Sequence, residues 1–195
     1  MIALIDYGAG NIESVANALT NLNAQFIITC NEKEILDADK IIFPGVGEAS
    51  YAVRRLHLLN LFSFLQITNK PLLGICLGMQ LLCQHSDEGN VSCLGIFPAS
   101  SQLFDNTKTK VPHMGWNQVE FLKPSKLFDN IPNKTFFYFA HSYYVMLNSY
   151  SMAQTNHETF FSAACERDNF YGVQFHPEKS GEAGIQLIKN FLEKC

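Results

Sequence analysis

The sequence predicts an α/β domain in which a mostly parallel central sheet has helices on both faces and carries an added antiparallel sheet element. Over the first 85 residues, short apolar runs alternate with helical periodicity, which is typical of parallel strands joined by helical crossovers. Further along, the apolar runs become short, aromatic and closely spaced, as in antiparallel strands. The length of 195 residues suits a single domain spanning residues 1–195.

Strands and helices alternate in the first half. The predicted strands are the apolar runs at residues 2–5, 25–30, 40–43 and 71–75, the third of them stopped by Pro44 and Gly45. Asn11 is a candidate N-cap for the first helix, which places apolar residues at helical spacing: Ile12, Val15, Ala16, Leu19 and Leu22. Asn31 and Glu34 have the spacing of a capping box for a short second helix. Residues 51–68 and 77–85 predict the remaining two helices.

The second half is predicted to consist of strands followed by one helix. The candidate strands are residues 118–121, 136–139, 143–147, 161–165 and 171–175, with turn-forming residues 167–169 between the last two. Residues 183–194 predict a C-terminal helix with a broad apolar stripe.

Composition and charge exclude several classes of function. The formal net charge is −4, and the fourteen Lys and Arg residues are scattered, so we expect no nucleic-acid partner. Asp6 interrupts the apolar opening and no basic residues precede it, so we expect neither a signal peptide nor a membrane segment, and a cytoplasmic location. The six cysteines lack CxxC spacing, so we expect mostly reduced, buried thiols, no metal site and no disulfide framework.

Cys76 lies between two glycines where a predicted strand meets a predicted helix. A residue on such a sharp turn needs small neighbours, so Gly74 and Gly78 fit the G-x-C-x-G pattern of a nucleophile elbow. At a helix N-terminus the free N–H groups and the helix dipole favour a thiolate. Cys76 is therefore a candidate nucleophile; the competing interpretation is a buried core cysteine.

His176 is the best candidate for the base that activates this thiol. It follows the predicted strand 171–175, Pro177 fixes the backbone after it, and Glu178 is close enough to accept an imidazole N–H. Active sites of parallel sheets gather at the carboxyl ends of the strands, where Cys76 and His176 can meet. The three residues are thus a predicted catalytic triad, although an isolated His-Pro-Glu turn is also compatible with a strand end and a surface ion pair.

Attack on a carbonyl also requires hydrogen-bond donors for the oxyanion. One candidate is the N–H of Leu77, and the other is the PGVG segment at residues 44–47, which ends the strand expected beside the elbow strand. Viewed alone, PGVG is equally compatible with an ordinary strand exit.

Several motifs together resemble a known family. PGVG, GICLGMQ at residues 74–80 and QFHPEKS at residues 174–180 resemble the class I, or triad, glutamine amidotransferases over essentially the whole chain. IDYGAGN at residues 5–11, KVPHMGWN at 110–117 and YFAHSYY at 138–144 resemble, within that family, the glutaminase subunits of imidazole glycerol phosphate synthases. The resemblance implies a flavodoxin-like three-layer fold.

The resemblance also implies a reaction, in which L-glutamine is hydrolysed to glutamate and ammonia through a γ-glutamyl thioester on Cys76, without a cofactor. The glutamine pocket carries over to Gly47, Gln80, Ser142 and Tyr143. The oxyanion strand carries over to Gly45, Val46 and Gly47.

A partner is implied as well: a cyclase subunit with a (β/α)₈ barrel, which uses the ammonia to form imidazole glycerol phosphate and aminoimidazole carboxamide ribotide in L-histidine biosynthesis. The positions that match the subunit interface are Asn11, Met114, Trp116, Tyr138 and Lys179. Core packing is the competing interpretation of Trp116.

Because a free glutaminase wastes glutamine, we expect weak activity alone and activation by the acceptor bound to the partner. Our hypothesis is that residues 44–47 are the switch, since a Gly-flanked peptide can turn an N–H into or out of the oxyanion hole. Glu48, where a small or aromatic residue is expected, is predicted to face solvent in the first turn of the next helix.

Four alternatives remain open. A glutaminase of anthranilate or aminodeoxychorismate synthase usually has Gly-Pro-Gly in the oxyanion strand and His in place of Met79. A paralogous glutaminase could feed another acceptor, for instance in amidino-sugar synthesis. A flavodoxin-like redox sensor leaves the HPE and HMGWN motifs unexplained. A dinucleotide-binding module lacks its third glycine, because Glu13 stands there.

Overall fold

The computed structural model describes residues 1–195 and contains thirteen strands and six α-helices. The strands are β1 (Ile2–Ile5), β2 (Phe26–Thr29), β3 (Lys40–Gly45), β4 (Leu72–Cys76), β5 (Cys83–Ser86), β6 (Val91–Ser92), β7 (Phe97–Leu103), β8 (His113–Phe121), β9 (Thr135–His141), β10 (Tyr143–Val145), β11 (Ser151–His157), β12 (Thr159–Arg167) and β13 (Phe170–Val173). The helices are α1 (Ile12–Asn21), α2 (Glu32–Asp37), α3 (Ala49–Leu58), α4 (Leu61–Ile67), α5 (Leu77–Leu81) and α6 (Gly181–Lys194).

The central sheet has nine strands in the order β2-β1-β3-β4-β13-β12-β11-β8-β9. The first five of these are parallel, and β13 then pairs antiparallel with β12, so the antiparallel part extends the same sheet. A smaller sheet has the order β10-β7-β5-β6. The α/β fold predicted from the sequence is confirmed. None of the helices combines the length and the apolar character that crossing a membrane requires.

Helices cover both faces of the parallel strands because successive strand residues point to opposite faces. In β1, Ile2 and Leu4 join one apolar cluster together with residues of α1 and α6. Ala3 and Ile5 join a second cluster with residues of α2, α3 and α4. These two clusters make the domain a three-layer structure with the parallel strands in the middle layer.

Several predicted boundaries are wrong. The helix predicted at residues 51–68 is two helices, because Asn60 between them adopts a left-handed conformation with φ 57°. The helix predicted at residues 77–85 ends at Leu81, since β5 begins at Cys83. Pro44 and Gly45 do not stop β3 but lie within it. Strands β5, β6, β7 and β11 were not predicted.

The two predicted helix caps also differ in detail. Asn31 caps α2 by accepting from the Lys33 N–H, but Glu34 accepts from the Thr29 hydroxyl, so the reciprocal half of the capping box is absent. Asn11 occupies the N-cap position of α1 without a capping bond to a backbone N–H. Its side chain accepts from the Ser14 hydroxyl and donates to Glu178 instead.

Candidate active site

Cys76 ends β4 on a strained turn from which α5 starts at the next residue. Its φ of 54° and ψ of −111° lie outside the common regions for a residue with a side chain. The flanking glycines permit this turn: a Cβ on Gly74 would lie 2.8 Å from the backbone of Gly78, and one on Gly78 would lie 1.9 Å from the Phe43 carbonyl oxygen. The local geometry is that of a nucleophile elbow.

His176 and Glu178 form a buried pair beside Cys76. Nδ1 of His176 lies 2.8 Å from Oε1 of Glu178, and the two side chains are 3% and 1% exposed. Burial by itself lowers the pKa of His176, but hydrogen bonds to Cys76 and Glu178 and the negative charges of both groups raise it to about 10. The structure therefore brings the three predicted triad residues together and favours a protonated His176 imidazole.

The buried Glu178 carboxylate has only part of its hydrogen-bonding capacity filled. Asn11 Nδ2 donates to Oε1 at 3.3 Å, and Oε2 has no partner. Asn11, predicted only as an interface residue, therefore also contacts the carboxylate that orients His176.

Gln174 is a residue of this site that the sequence reasoning missed. It is fully buried, and its Nε2 lies 3.7 Å from Cys76 Sγ as a donor, while its Oε1 accepts from Gln80 Nε2 at 3.0 Å. Gln80 Nε2 also donates to the Tyr143 carbonyl at 2.8 Å, so both of its amide hydrogens are bonded to protein. The available signal was an uncharged polar residue at the end of an apolar strand, immediately before Phe175 and His176.

A cavity of about 270 Å³ opens in front of the thiol. Its lining comprises Val46, Gly47, Cys76, Leu77, Gln80, Glu88, Pro112, Met114, Ala140, His141, Ser142 and Tyr143. All four residues of the predicted glutamine pocket are among them. A small concave space with a few converging polar groups is the usual form of a small-molecule site.

The four PGVG residues fall into two parts. Pro44 and Gly45 are buried in β3, where Gly45 pairs with Cys76 and a Cβ on it would lie 2.9 Å from the Gly78 nitrogen. Val46 is 40% exposed, and Gly47 has φ +96°, with nothing within 4 Å of the place where a Cβ would lie. The switch at residues 44–47 stays a prediction, and within that segment only Val46 and Gly47 lie outside the packed strand.

Two glutamates near the cavity differ in their surroundings. Glu88, which the sequence reasoning missed, lines the cavity, and its Oε2 accepts from the Ala49 N–H at 2.9 Å. Burial raises its pKa above the ordinary value, partly offset by this bond. Glu48 is exposed, as predicted, and accepts from the Ser50 hydroxyl at the N-cap position of α3. No sequence pattern distinguished Glu88 from other acidic turn residues.

Tyr7 brings another polar group close to the elbow. Its side chain is buried, its hydroxyl has no hydrogen-bond partner, and a Cβ on Gly45 would lie 2.5 Å from that hydroxyl. Burial, with smaller contributions from negative charge at Cys76 and Asp6, raises the pKa of Tyr7 far above its ordinary value. The hydroxyl therefore stays protonated beside β3.

Of the residues predicted at an interface, Met114 also lines the cavity. On β8, Met114 is 65% and Trp116 56% exposed, so the core interpretation of Trp116 is wrong. Trp116 pairs with Tyr138 across the β8–β9 ladder, and their ring centroids are 6.1 Å apart in an edge-to-face arrangement. Lys179 is exposed just after Glu178.

The fold and this geometry together define a class of protein: an α/β domain with a cysteine on a strained strand-to-helix turn, a buried His–Glu pair and an adjoining small cavity. The chain belongs to the class I glutamine amidotransferase family, whose family model matches residues 3–195.

Curated relatives extend this similarity along the whole chain. The imidazole glycerol phosphate synthase subunit HisH of Bacteroides fragilis strain YCH46 is 50% identical over 194 residues, covering 98% of both chains. The protein of the same name from Haemophilus influenzae strain KW20 is 46% identical over 193 residues, covering 99% of this chain and 97% of its own. The one from Buchnera aphidicola of Acyrthosiphon pisum is 44% identical, with 98% of each chain covered.

Solved structures share the fold at low sequence identity. A crystal structure of a glutamine amidotransferase superposes with a TM-score of 0.75 at 15% identity, covering 99% of this chain and 98% of that one. A chain of the PurLQS structure from Thermotoga maritima gives a TM-score of 0.70 at 17% identity, covering 98% of this chain and 96% of that one.

Proposed function

We propose that this chain is the glutaminase subunit of an imidazole glycerol phosphate synthase. It hydrolyses L-glutamine to glutamate and ammonia and passes the ammonia to a cyclase subunit, which forms imidazole glycerol phosphate and aminoimidazole carboxamide ribotide in L-histidine biosynthesis. The observation that carries the proposal is the buried His176–Glu178 pair against Cys76 on its strained elbow. Full-length similarity to the HisH subunits supports the choice of pathway.

In the first half-reaction, the Cys76 thiolate attacks the side-chain amide carbon of glutamine. The Leu77 N–H and an N–H of the Val46–Gly47 segment stabilise the oxyanion that forms. The imidazolium of His176 then gives its proton to the departing nitrogen, so that ammonia leaves and a γ-glutamyl thioester remains on Cys76. Glu178 keeps the other ring N–H of His176 in place throughout.

In the second half-reaction, the neutral His176 takes a proton from water, which attacks the thioester carbon. Collapse of the tetrahedral intermediate breaks the C–S bond, releases glutamate and restores the thiolate–imidazolium pair. Gln174 donates to Sγ whenever the sulfur carries negative charge, which makes it a positioning residue for the nucleophile.

Substrate recognition is assigned to the cavity walls. Gly47, Ser142 and Tyr143 contact glutamine. Gln80 supports this wall by donating hydrogen bonds to the Tyr143 carbonyl and to Gln174. Glu88 is the one carboxylate in the lining, so it accepts hydrogen bonds from the α-ammonium group of the substrate.

The partner surface is assigned to Asn11, Met114, Trp116, Tyr138 and Lys179. Exposed aromatic and apolar side chains beside an active site are typical of an interface core, and Met114 belongs both to this surface and to the cavity lining. The expected partner is a (β/α)₈ barrel that receives ammonia from the cavity, and no nucleic acid or membrane takes part. All six cysteines are free, which fits the reducing cytoplasm.

A paralogous glutaminase that serves another acceptor synthase remains the second candidate. The triad and pocket are common to both, and only the acceptor differs. The HisH relatives favour the first candidate, because each is about as long as this chain and matches it end to end.

The test is ammonia release from glutamine by the purified chain, alone and with the cyclase subunit of an imidazole glycerol phosphate synthase plus its nucleotide ligand. We expect weak activity alone, strong ligand-dependent stimulation and complete loss in Cys76→Ala. Cys76-dependent activity that ignores this partner would move the assignment to a paralogue, and absence of activity in every combination would overturn the glutaminase assignment.

A further inference from the structure

A pair of buried histidines adjoins the proposed glutamine pocket, because His141 belongs to the cavity lining and His113 contacts His141. His113 on β8 and His141 on β9 face each other across the ladder, with His113 Nδ1 2.9 Å from His141 Nε2. Both are buried. The mechanism proposed above uses neither of them, and no group of side chains here is arranged to hold a metal ion.

The directions of the hydrogen bonds can be assigned from one end of the pair. His141 Nδ1 lies 2.7 Å from the Tyr143 carbonyl oxygen, which can only accept, so His141 carries its proton on Nδ1. Its Nε2 is then an acceptor, and the proton shared with His113 must come from Nδ1 of His113.

The opposite end gives the same answer independently. The Asn117 amide is oriented by two backbone groups, because its Nδ2 donates to the Asn156 carbonyl at 2.8 Å and its Oδ1 accepts from the Gln118 N–H at 2.8 Å. The second hydrogen of Nδ2 therefore points to His113 Nε2, 3.1 Å away, and makes it an acceptor. Both ends require the Nδ1–H tautomer of both rings.

The surroundings keep the two rings neutral. Burial lowers the pKa of His113 to about 4, with a smaller contribution from His157, and the pKa of His141 to about 3. The Tyr143 carbonyl opposes the shift at His141, while His113, His157 and His176 add to it. No carboxylate hydrogen-bonds either ring, so neither gains a second proton in a normal assay.

The Tyr143 carbonyl, which accepts from His141, also connects these hydrogen bonds to the residues around Cys76. Tyr143 O also accepts from Gln80 Nε2, whose other hydrogen holds Gln174, and Gln174 donates to Cys76 Sγ. His141 is the last residue of β9, and the chain then leaves the large sheet through Ser142 to form β10 in the small one.

We propose that His113 and His141 are positioning residues. With Asn117 as the first donor and the Tyr143 carbonyl as the last acceptor, they form a hydrogen-bond chain in which every bond points in the same direction. The chain fixes the Ser142–Tyr143 wall of the cavity and, through Gln80 and Gln174, the donor to the Cys76 sulfur. This inference rests on the proposed function, since it assigns the wall to a glutamine site.

The spectroscopic test is the long-range ¹H–¹⁵N NMR spectrum of the histidine rings in the full chain. We expect both rings as Nδ1–H tautomers that do not titrate above about pH 5, in contrast to an ordinary histidine near pH 6.5. Observation of the Nε2–H tautomer, or of an ordinary titration, at either ring would contradict the proposed hydrogen-bond chain. Asn117→Asp replaces the terminal donor by an acceptor, so His113 is expected to gain a second proton.

The kinetic test compares two substitutions that separate hydrogen bonding from shape. His141→Phe keeps a ring among Phe104, Phe139 and Phe161 but loses the donor, whereas His141→Asn loses the ring but keeps an N–H near the Nδ1 position. We expect kcat/KM for glutamine, with the cyclase partner present, to fall about tenfold or more in His141→Phe and to stay within about threefold in His141→Asn.

The reverse order, with His141→Asn the more damaged variant, means that the ring acts by packing alone and overturns the proposal. His157→Phe is the control, because His157 stacks on His113 at 4.2 Å but lies outside the chain. If wild-type protein releases no ammonia, the proposed function fails. The NMR spectrum still decides whether the hydrogen-bond chain through His113 and His141 is present.

Discussion

The backbone N–H of His176 donates to the carbonyl oxygen of Tyr138 at 2.8 Å. Ser180 strengthens this connection, since its hydroxyl accepts from the Tyr138 N–H and donates to the His176 carbonyl. Tyr138 also contacts exposed Trp116 through its ring. A partner that docks on these two aromatic side chains therefore contacts the strand to which the backbone of His176 is bonded.

Trp116→Ala is expected to weaken partner binding without destabilising the fold. Trp116 is 56% exposed, so the free energy of unfolding should change by no more than about 0.5 kcal/mol. An aromatic residue at an interface core contributes about 2 kcal/mol or more, so the Kd for the cyclase subunit should rise roughly 30-fold. Titration calorimetry measures this change. Phe160→Ala, equally exposed on β12, is the control, and equal effects of both variants would contradict the assigned surface.

The charge of His176 makes stability depend on pH in the alkaline range. Its pKa is raised to about 10 in the folded protein, against about 6.5 in the unfolded chain. The stability it contributes is therefore complete below about pH 6.5 and is lost as the pH rises toward 10.

Urea unfolding between about pH 6 and pH 10 measures this loss. Glu178→Gln weakens the interactions that raise the His176 pKa, so the stability difference from wild type should be largest near pH 6 and shrink as the pH approaches 10. A difference that grows with pH would show that His176 is neutral in the folded protein.

Glu88→Gln is expected to raise KM for glutamine with little change in kcat. The variant loses the charge that pairs with the substrate ammonium, worth roughly tenfold or more in KM, but keeps an oxygen that can accept from the Ala49 N–H. Binding lost equally from ground state and transition state leaves kcat unchanged. Steady-state kinetics tests this, with Glu48→Gln as the exposed control. An unchanged KM would show that Glu88 does not bind the substrate ammonium group.

The sequence predicts those parts of the site in which short-range chemistry is visible. Gly74 and Gly78 indicate the elbow because bulkier residues would collide with the adjacent backbone, and His-Pro-Glu indicates the pair because its members are two residues apart. Glu88 and Gln174 could not be predicted in this way. Their roles depend on contacts with distant segments, Ala49 for one and Cys76 for the other.

The errors in the fold have a similar cause. The parallel arrangement of the first-half strands was predictable because short apolar runs alternate there with segments of helical periodicity. Residues 83–85 fall at the end of the helix predicted at residues 77–85, but they belong to β5, which is four residues long and is held by pairing with β6 and β7 further along the chain. Local periodicity contains no information about such a partner.

Gly78→Ala is expected to unfold or strongly destabilise the protein. The added Cβ would lie 1.9 Å from the Phe43 carbonyl oxygen, so β3 and the elbow must separate, at a cost of about 3 kcal/mol or more. Gly95→Ala is the matched control: its φ of +72° is unfavourable for alanine, but nothing lies within 4 Å, so we expect a loss of only about 1 kcal/mol. Urea unfolding measures both, and similar losses would mean that the close approach at the elbow is not needed.

Substitutions of Gly47 test the switch predicted at residues 44–47. Its φ of +96° is inaccessible to proline, which also lacks the N–H proposed for the oxyanion, so Gly47→Pro should abolish partner-stimulated turnover. Gly47→Ala keeps the N–H and meets no neighbour within 4 Å, so only the backbone preference changes and a loss of roughly tenfold is expected. Ammonia release in the presence of the liganded cyclase measures both. Because Gly47 lies outside β3, neither variant should lower the free energy of unfolding by more than about 1 kcal/mol, and full stimulated turnover in Gly47→Pro would rule out a switch at this segment.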